Sequence, residues 1–159
     1  KFKFGVQKIS STDQTYYAAP DEMTDGSKKP TYVQVTDRRG TLEGWTLSLT
    51  QSEQFKTADG EELAGAALKF TNADAVSTIE DTIYAPKAVE EFELTPGEKA
   101  SAITATQGTG VGTWVYRFGK DIEANENAVQ LFVPGRTVKL AKEYKTTLIW
   151  ALENTPGNE

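Results

Sequence analysis

The chain has 159 residues, a formal net charge of −6 and a hydrophobic fraction of 38%. This length suits one domain or two small interlocked ones, and three Trp, six Tyr and seven Phe can build a core without disulfides or metal. Cysteine and histidine are both absent, which excludes thiol catalysis, Ser-His-Asp triads and the commonest metal ligand. The acidic balance, with basic pairs only at 28–29 and 38–39, argues against nucleic-acid binding. No apolar run approaches the roughly 20 residues needed to cross a bilayer, so membrane insertion is not expected.

Most apolar residues follow the two-residue period of a β-strand. Side chains two apart point to one sheet face, and the residues between them are mostly polar, as on a solvated outer face. The pattern predicts strands at 2–6, 33–35, 45–49, 66–70, 92–94, 114–118, 129–133 and 144–152. Gly and Pro turn signals separate these runs. We therefore expect an all-β fold, as an elaborated immunoglobulin-like β-sandwich or as two smaller sandwiches that share strands.

Three segments are less regular, although we expect 1–159 to form a single domain. A capping-box pattern at 59–62 and helical spacing after it favour a helix, but the residues of 66–70 also alternate as in a strand. We favour the strand. The polar segment 10–30 is predicted to be a long surface excursion, and long loops of this type are often functional. Residues 155–159 are predicted to be a frayed tail.

A Trp-x-Leu pattern occurs twice, at 45–47 and, 105 positions later, at 150–152. In a strand the Trp and the Leu point to the same face, so each motif forms a two-residue apolar patch. Large aromatic residues at alternating positions usually pack in the core, but an indole with one exposed edge could also bind a sugar ring or a protein. Both interpretations remain open. The candidate binding residues are Trp45, Leu47, Trp150, Leu152, Tyr144 and Trp114.

A charged turn precedes the first motif. Asp37 can cap backbone amides, and Gly40 can adopt the positive φ that such a turn requires. An arginine beside Asp37 can also clamp its carboxylate, either within the protein or on a ligand. We favour an internal clamp of Asp37, Arg38 and Gly40, because a guanidinium offers bidentate geometry.

No motif points to catalysis or to a cofactor. The glycines at 108, 110 and 112 lack the Gly-Lys-Ser/Thr sequence of a phosphate loop, so a bend or bulge is expected there. The acidic residues form neither a calcium loop nor a recognisable glycosidase pair. We therefore expect no catalytic residue, no metal ligand and no cofactor.

Several motifs together carry a resemblance to a known family. The second Trp-x-Leu lies in a Tyr-x-x-x-Leu-x-Trp-x-Leu run at 144–152, and an Asp-x-Arg-Gly sequence at 37–40 leads into the first. Phe-Gly at 4–5 and Gly-x-Gly-x-Trp at 110–114 complete the pattern. Over essentially its whole length, the chain resembles the WxL domains of Gram-positive surface proteins.

The resemblance implies a secreted, non-catalytic C-terminal module that holds its parent protein at the cell wall without a covalent bond. Its implied partners are peptidoglycan and a membrane-anchored surface protein with immunoglobulin-like extracellular domains. Wall polymers are strongly anionic, so a domain of charge −6 is not attracted over long range and must be retained by short-range contacts. The alternative is a protein–protein assembly module with no direct glycan binding. A wall hydrolase is a third, disfavoured hypothesis, since His, Cys and a carboxylate pair are missing.

Overall fold

The computed structural model describes residues 1–154 and 156 of the chain, and 40% of the residues lie in strands against 5% in helices. A 3-10 turn spans Thr82–Tyr84, and a short helix, α1, spans Ile122–Glu126. The strands in chain order are β1 (Gln14–Tyr17), β2 (Asp21–Glu22), β3 (Lys28–Lys29), β4 (Tyr32–Asp37), β5 (Trp45–Gln51), β6 (Ala67–Phe70), β7 (Ala73–Val76), β8 (Lys87–Ala88), β9 (Phe92–Leu94), β10 (Lys99–Ala105), β11 (Gly112–Phe118), β12 (Val129–Val133) and β13 (Leu148–Glu153).

The strands form three larger antiparallel sheets and one small hairpin. The first sheet has the order β1-β12-β6-β9, the second β13-β5-β10-β8 and the third β4-β11-β7, while β2 pairs with β3. Neighbours in a sheet are mostly distant in sequence; for example, β5 lies between β13 and β10. The fold is therefore nearly all β and is held together by non-local strand pairing.

Aromatic side chains from all three larger sheets meet in the core. Tyr116 and Phe118 of β11 are fully buried, and the Phe118 ring lies 5.1 Å from the ring of Phe70 on β6. The Trp150 ring of β13 lies 6.3 Å from that of Tyr116 in an edge-to-face arrangement. Such edge-on contacts are the preferred geometry of aromatic pairs. The core thus joins the first, second and third sheets around β11.

Most predicted strands are present. The alternating runs at 33–35, 45–49, 92–94, 114–118 and 129–133 lie in β4, β5, β9, β11 and β12, respectively. The ambiguous run near 66–70 forms β6, so the strand interpretation is confirmed over the helix.

Other predictions were wrong or incomplete. The segment 2–6 forms no strand: Phe2 packs edge-on against the ring of Phe70, but Val6 is fully exposed. The alternation there comes from Phe2 and Phe4, which pack against the core, and not from a hydrogen-bonded strand pair. The excursion predicted at 10–30 contains β1, which pairs with β12, and the β2–β3 hairpin. Apart from Pro156, the predicted tail at 155–159 lies outside the described residues.

Candidate functional site

The two Trp-x-Leu motifs lie on neighbouring strands. The first is in β5 and the second in β13, which pairs with β5 antiparallel. Leu152 lies opposite Leu47, and Trp150 lies opposite Leu49. Residues that face each other across a strand pair share one sheet face, so the two motifs form a continuous apolar surface. Their 105-residue separation in the sequence gave no indication of this contact.

The first motif is buried. Trp45 is 2% exposed and Leu47 3%, because β5 has a paired strand on each side. The Trp45 indole N–H donates to the carbonyl of Gly110 at 2.9 Å, so its one polar atom is satisfied inside the protein. A ligand cannot reach either side chain without opening the fold. The first motif is therefore a structural element of the core.

The second motif is only partly buried, because β13 lies at the edge of its sheet. One side of the half-buried Trp150 packs on Tyr116 and Phe118, and its indole N–H has no hydrogen-bond partner among the described residues. Leu152 is 56% exposed, and Ile149 on the opposite face is 51% exposed. The second motif is thus accessible to a partner.

The two other aromatic candidates differ in the same way. Trp114 is 2% exposed, and its indole N–H donates to the carbonyl of Val111 at 2.8 Å. Tyr144 is half-buried just before β13, and its hydroxyl accepts the amide N–H of Leu140 at 3.0 Å. The structure therefore places Trp150 and Leu152 together in an apolar strip on one face of β13, Tyr144 four residues before that strand, and Trp114 in the core.

The charged turn forms a clamp, but the arginine in it is Arg39 and not the predicted Arg38. The guanidinium of Arg39 donates from Nε and Nη2 to the two carboxylate oxygens of Asp37, both at 2.9 Å, and from Nη2 to the carbonyl of Gly44 at 2.8 Å. The hydrogen bonds from Arg39 hold the pKa of Asp37 below its ordinary value. Gly40 has a φ of 74°, as the turn prediction requires. The clamp is internal, because only 7% of the Asp37 side chain is exposed.

The clamp also ties the two motif strands together. Arg39 Nη1 donates to the side-chain oxygen of Asn154, directly after β13, at 3.1 Å. Glu153 of β13 forms an ion pair with Lys99 of β10. Both contacts hold the C-terminal end of β13 against its sheet. Sequence reasoning missed them, because the partners are more than 50 positions apart.

A polar cleft of about 430 Å³ lies beside the start of β13. Lys142 pairs with Asp59 and Glu61, both at 3.0 Å, and the pKa of Glu61 is lowered by hydrogen bonds from Thr57 and Lys142. The three lysines of the cleft, Lys56, Lys142 and Lys145, each form an ion pair with a carboxylate. Because their charges are already balanced, the cleft is not a strong ion-binding site. Apart from Ala58, the remaining lining residues are charged or threonine, and the cleft was not predicted from the sequence.

Two structural features were checked in the part of the chain that the structure describes: a cluster of metal ligands and a membrane-crossing helix. Within residues 1–154 and 156, no group of three His, Cys, Asp or Glu residues could hold a metal ion. The two short helical segments of the same part are far from the length and hydropathy that a membrane-crossing helix needs.

The sequence was also compared with known proteins. Residues 1–156 match the model of the WxL domain family, which is described as a surface cell wall-binding domain. The chain therefore belongs to the WxL domain family, and the resemblance inferred from its motifs is confirmed. This is a surface-binding family, not an enzyme family. The searches of curated proteins and of solved structures returned no significant match.

Proposed function

We propose that this domain is a non-catalytic attachment module that retains its secreted parent protein at the Gram-positive cell wall without a covalent bond. The observation that carries the proposal is the position of the second Trp-x-Leu motif. Trp150 and Leu152 lie on an edge strand, where an apolar surface reaches solvent. Exposed apolar groups on a structured edge are typical of interaction sites. Family membership supports attachment at the cell surface.

A membrane-anchored surface protein is the ligand that this strip fits best. Ile149 and Leu152 offer aliphatic area, and one side of the Trp150 ring is already engaged by Tyr116 and Phe118. This packing leaves less of the indole for stacking on a sugar ring. Tryptophan is enriched at protein–protein hot spots, so an indole flanked by exposed aliphatic side chains suits a protein ligand.

Direct peptidoglycan binding is a second candidate, and a different surface favours it. Tyr17 of β1 and Phe132 of β12 are 46% and 39% exposed on the outer face of the first sheet. Thr15 faces Phe132 in the register, so Tyr17 lies diagonal to Phe132 and within reach of its ring. Two exposed aromatic faces on one sheet offer a stacking platform for sugar rings.

We also propose that the second and third sheets pack face to face as an elaborated immunoglobulin-like sandwich. The contacts of Trp150 with Tyr116 and Phe118 support this arrangement, because they join the inner faces of the two sheets.

Co-sedimentation of the purified domain with Gram-positive cell envelopes tests the proposal. One sample is intact, one is protease-treated, and one is purified peptidoglycan, each over a salt series. We expect binding to intact envelopes that is lost after protease treatment. If the domain instead binds purified peptidoglycan and Tyr17→Ala weakens this binding, the binding site is the aromatic platform of Tyr17 and Phe132. Absence of binding to all three samples would refute the attachment role.

A matched pair of variants locates the site on β13. Leu152→Ser removes an exposed apolar side chain of the strip, and Val138→Ser removes one that is 79% exposed in a loop elsewhere. We expect only the Leu152 variant to lose envelope binding, with both variants folded by circular dichroism. Equal binding by the two variants would show that the strip is not the contact surface.

A further inference from the structure

We propose that the free edge of β13 binds its protein partner by strand addition, with an extended segment of that partner pairing as a fifth strand of the second sheet. This inference rests on the proposed attachment function and names its mode of recognition. In strand addition, main-chain hydrogen bonds supply affinity and alternate side chains supply specificity.

The backbone of β13 has the donors and acceptors that such pairing needs. The carbonyl of Thr147 accepts the amide N–H of Ser52 at 2.9 Å, so residue 147 faces β5. In an antiparallel pair the facing residues alternate, so those at 149, 151 and 153 also face β5. The N–H and C=O groups of Leu148, Trp150 and Leu152 therefore point away from β5. No described strand pairs with them.

This edge lacks the features that usually protect a sheet edge. Protected edges are short, bulged, rich in charges or interrupted by proline. β13 has six residues in regular register with β5, of which the first five are apolar. The outer strand β8 has two residues, β9 has three and β1 has four. A regular apolar edge of this length is a template for another strand.

The remaining long edge, β4, gives an internal comparison. It also has six residues and an unpaired side, but its exposed side chains include Gln34 and Thr36. The amide of Phe118 donates to the carbonyl of Thr31, so the backbone of Gln34 points outward by the same alternation. β4 therefore has free hydrogen-bonding groups, but only Tyr32 at its start is an exposed large apolar side chain, and it serves as a matched control.

The side chains of β13 define the chemistry of the incoming strand. Leu152 and the half-buried Trp150 lie on the inner face, and Ile149 lies on the outer face. Apolar residues at alternating positions of the partner strand can cover the inner face with Trp150 and Leu152, and β-branched residues suit a strand best. The domain carries a charge of −6, which favours a partner segment with basic residues and opposes pairing with a second copy of the same charge. The occupant is therefore an apolar, basic strand of a different protein.

A peptide titration tests strand addition directly. The probe is a short synthetic peptide in which Val alternates with Lys and Thr, added to the ¹⁵N-labelled domain and followed by amide shifts and hydrogen exchange. We expect the amides of Leu148, Trp150 and Leu152 to become protected. The same peptide, methylated on two successive central amides, keeps its side chains but loses the donors, and it should bind about tenfold more weakly or worse.

Two proline variants separate backbone pairing from side-chain contact. Leu152→Pro removes an outward N–H of β13, and Gln34→Pro removes an outward N–H of β4; proline is tolerated at such edge positions. We expect the first variant to lose peptide binding and the second to retain it, with a native amide spectrum in both. Leu152→Ser keeps the donor and should bind more weakly than the parent but better than Leu152→Pro.

Each other outcome overturns the inference. Equal binding of the methylated peptide, shifts centred away from β13, or no binding at millimolar peptide would exclude strand addition. A sedimentation dimer that Leu152→Pro dissociates would assign the edge to a second copy of the chain. If envelopes still bind the domain in these cases, the attachment function stands without strand addition. If envelopes do not bind, the attachment function itself fails.

Discussion

The two Trp-x-Leu motifs share a sequence pattern and a sheet, but they have different environments. Trp45 lies on a strand that is paired on both sides, with its indole N–H bound to the Gly110 carbonyl. Trp150 lies on an edge strand, half-buried, with no such partner among the described residues. The position of a strand within its sheet, and not the tripeptide, decides whether the motif is core or surface.

This difference suggests a division of tasks between the motifs. The first motif stabilises the sheet against which β13 is held. The second motif packs its indole against the core and leaves Leu152 exposed, where we propose that a partner binds. A substitution in the first motif should therefore mainly lower stability, and a substitution in the second motif should mainly weaken partner binding.

The largest effect is expected for Trp45→Ala. Removing a fully buried indole leaves a cavity, and large aromatic truncations of this kind cost about 3–5 kcal/mol. The matched Trp150→Ala removes a half-buried ring and should cost about 1–2 kcal/mol. Urea denaturation followed by circular dichroism measures both values. Equal losses would show that the two indoles are equally important to the core.

A second large effect is expected at Gly110, which lies against Trp45. A Cβ at this position would lie 2.5 Å from the Trp45 Nε1 atom, and φ is +82°. Gly108 has a φ of +91° but open space around it, so Gly108→Ala measures the backbone strain alone. Gly110→Ala should be less stable than Gly108→Ala by about 1–3 kcal/mol, the usual cost of overpacking. Thermal unfolding of both variants measures this difference in stability. Similar melting temperatures would argue against tight packing around Trp45.

A smaller, pH-dependent effect is expected for the Asp37–Arg39 clamp. Because the pKa of Asp37 is lower in the folded protein than in the unfolded chain, its contribution is present at neutral pH and is lost as pH falls through the folded pKa. Arg39→Lys removes the bidentate geometry and should lower the free energy of unfolding at neutral pH, and by less in acid. Arg38→Lys is the control, with no expected change. A cost of Arg39→Lys that did not vary with pH would contradict this assignment.

The smallest effect on stability is expected for Leu152→Ser. An exposed leucine contributes little to the fold, so the change should stay within about 0.5 kcal/mol. The facing Leu47→Ser places a hydroxyl in the core and should cost several times more. Denaturation curves and envelope-binding assays on both variants would separate the effect on stability from the effect on binding. A large loss of stability from Leu152→Ser would mean that β13 is more deeply packed than its exposure indicates.

The sequence predicted the strands that carry large alternating side chains. β5, β11 and β12 each place Trp, Tyr, Phe, Leu or Val at every second position, and all three were recognised. β7 and β10 were missed, because their buried positions hold mainly alanine, such as Ala73 and Ala102, whose weak hydrophobicity leaves no clear alternation. Small residues pack well against aromatic neighbours but carry little sequence signal.

The accessible part of the site could not be predicted. Whether a strand is central or at an edge depends on which distant strands pair with it, and β5 acquires its neighbours from 99–105 and 148–153. The choice of Arg39 over Arg38 likewise depends on the side of the turn to which each residue points. Local periodicity describes the faces of a strand but not its edges.

Exchange of the three tryptophan indole protons with deuterated solvent tests the central claim most directly. Each indole gives a separate ¹⁵N–¹H signal, and Trp114 serves as an internal reference for a buried, hydrogen-bonded ring. We expect the Trp45 and Trp114 signals to persist long after the Trp150 signal has disappeared. A Trp150 proton that exchanges as slowly as that of Trp45 would contradict the assignment of the second motif to the surface.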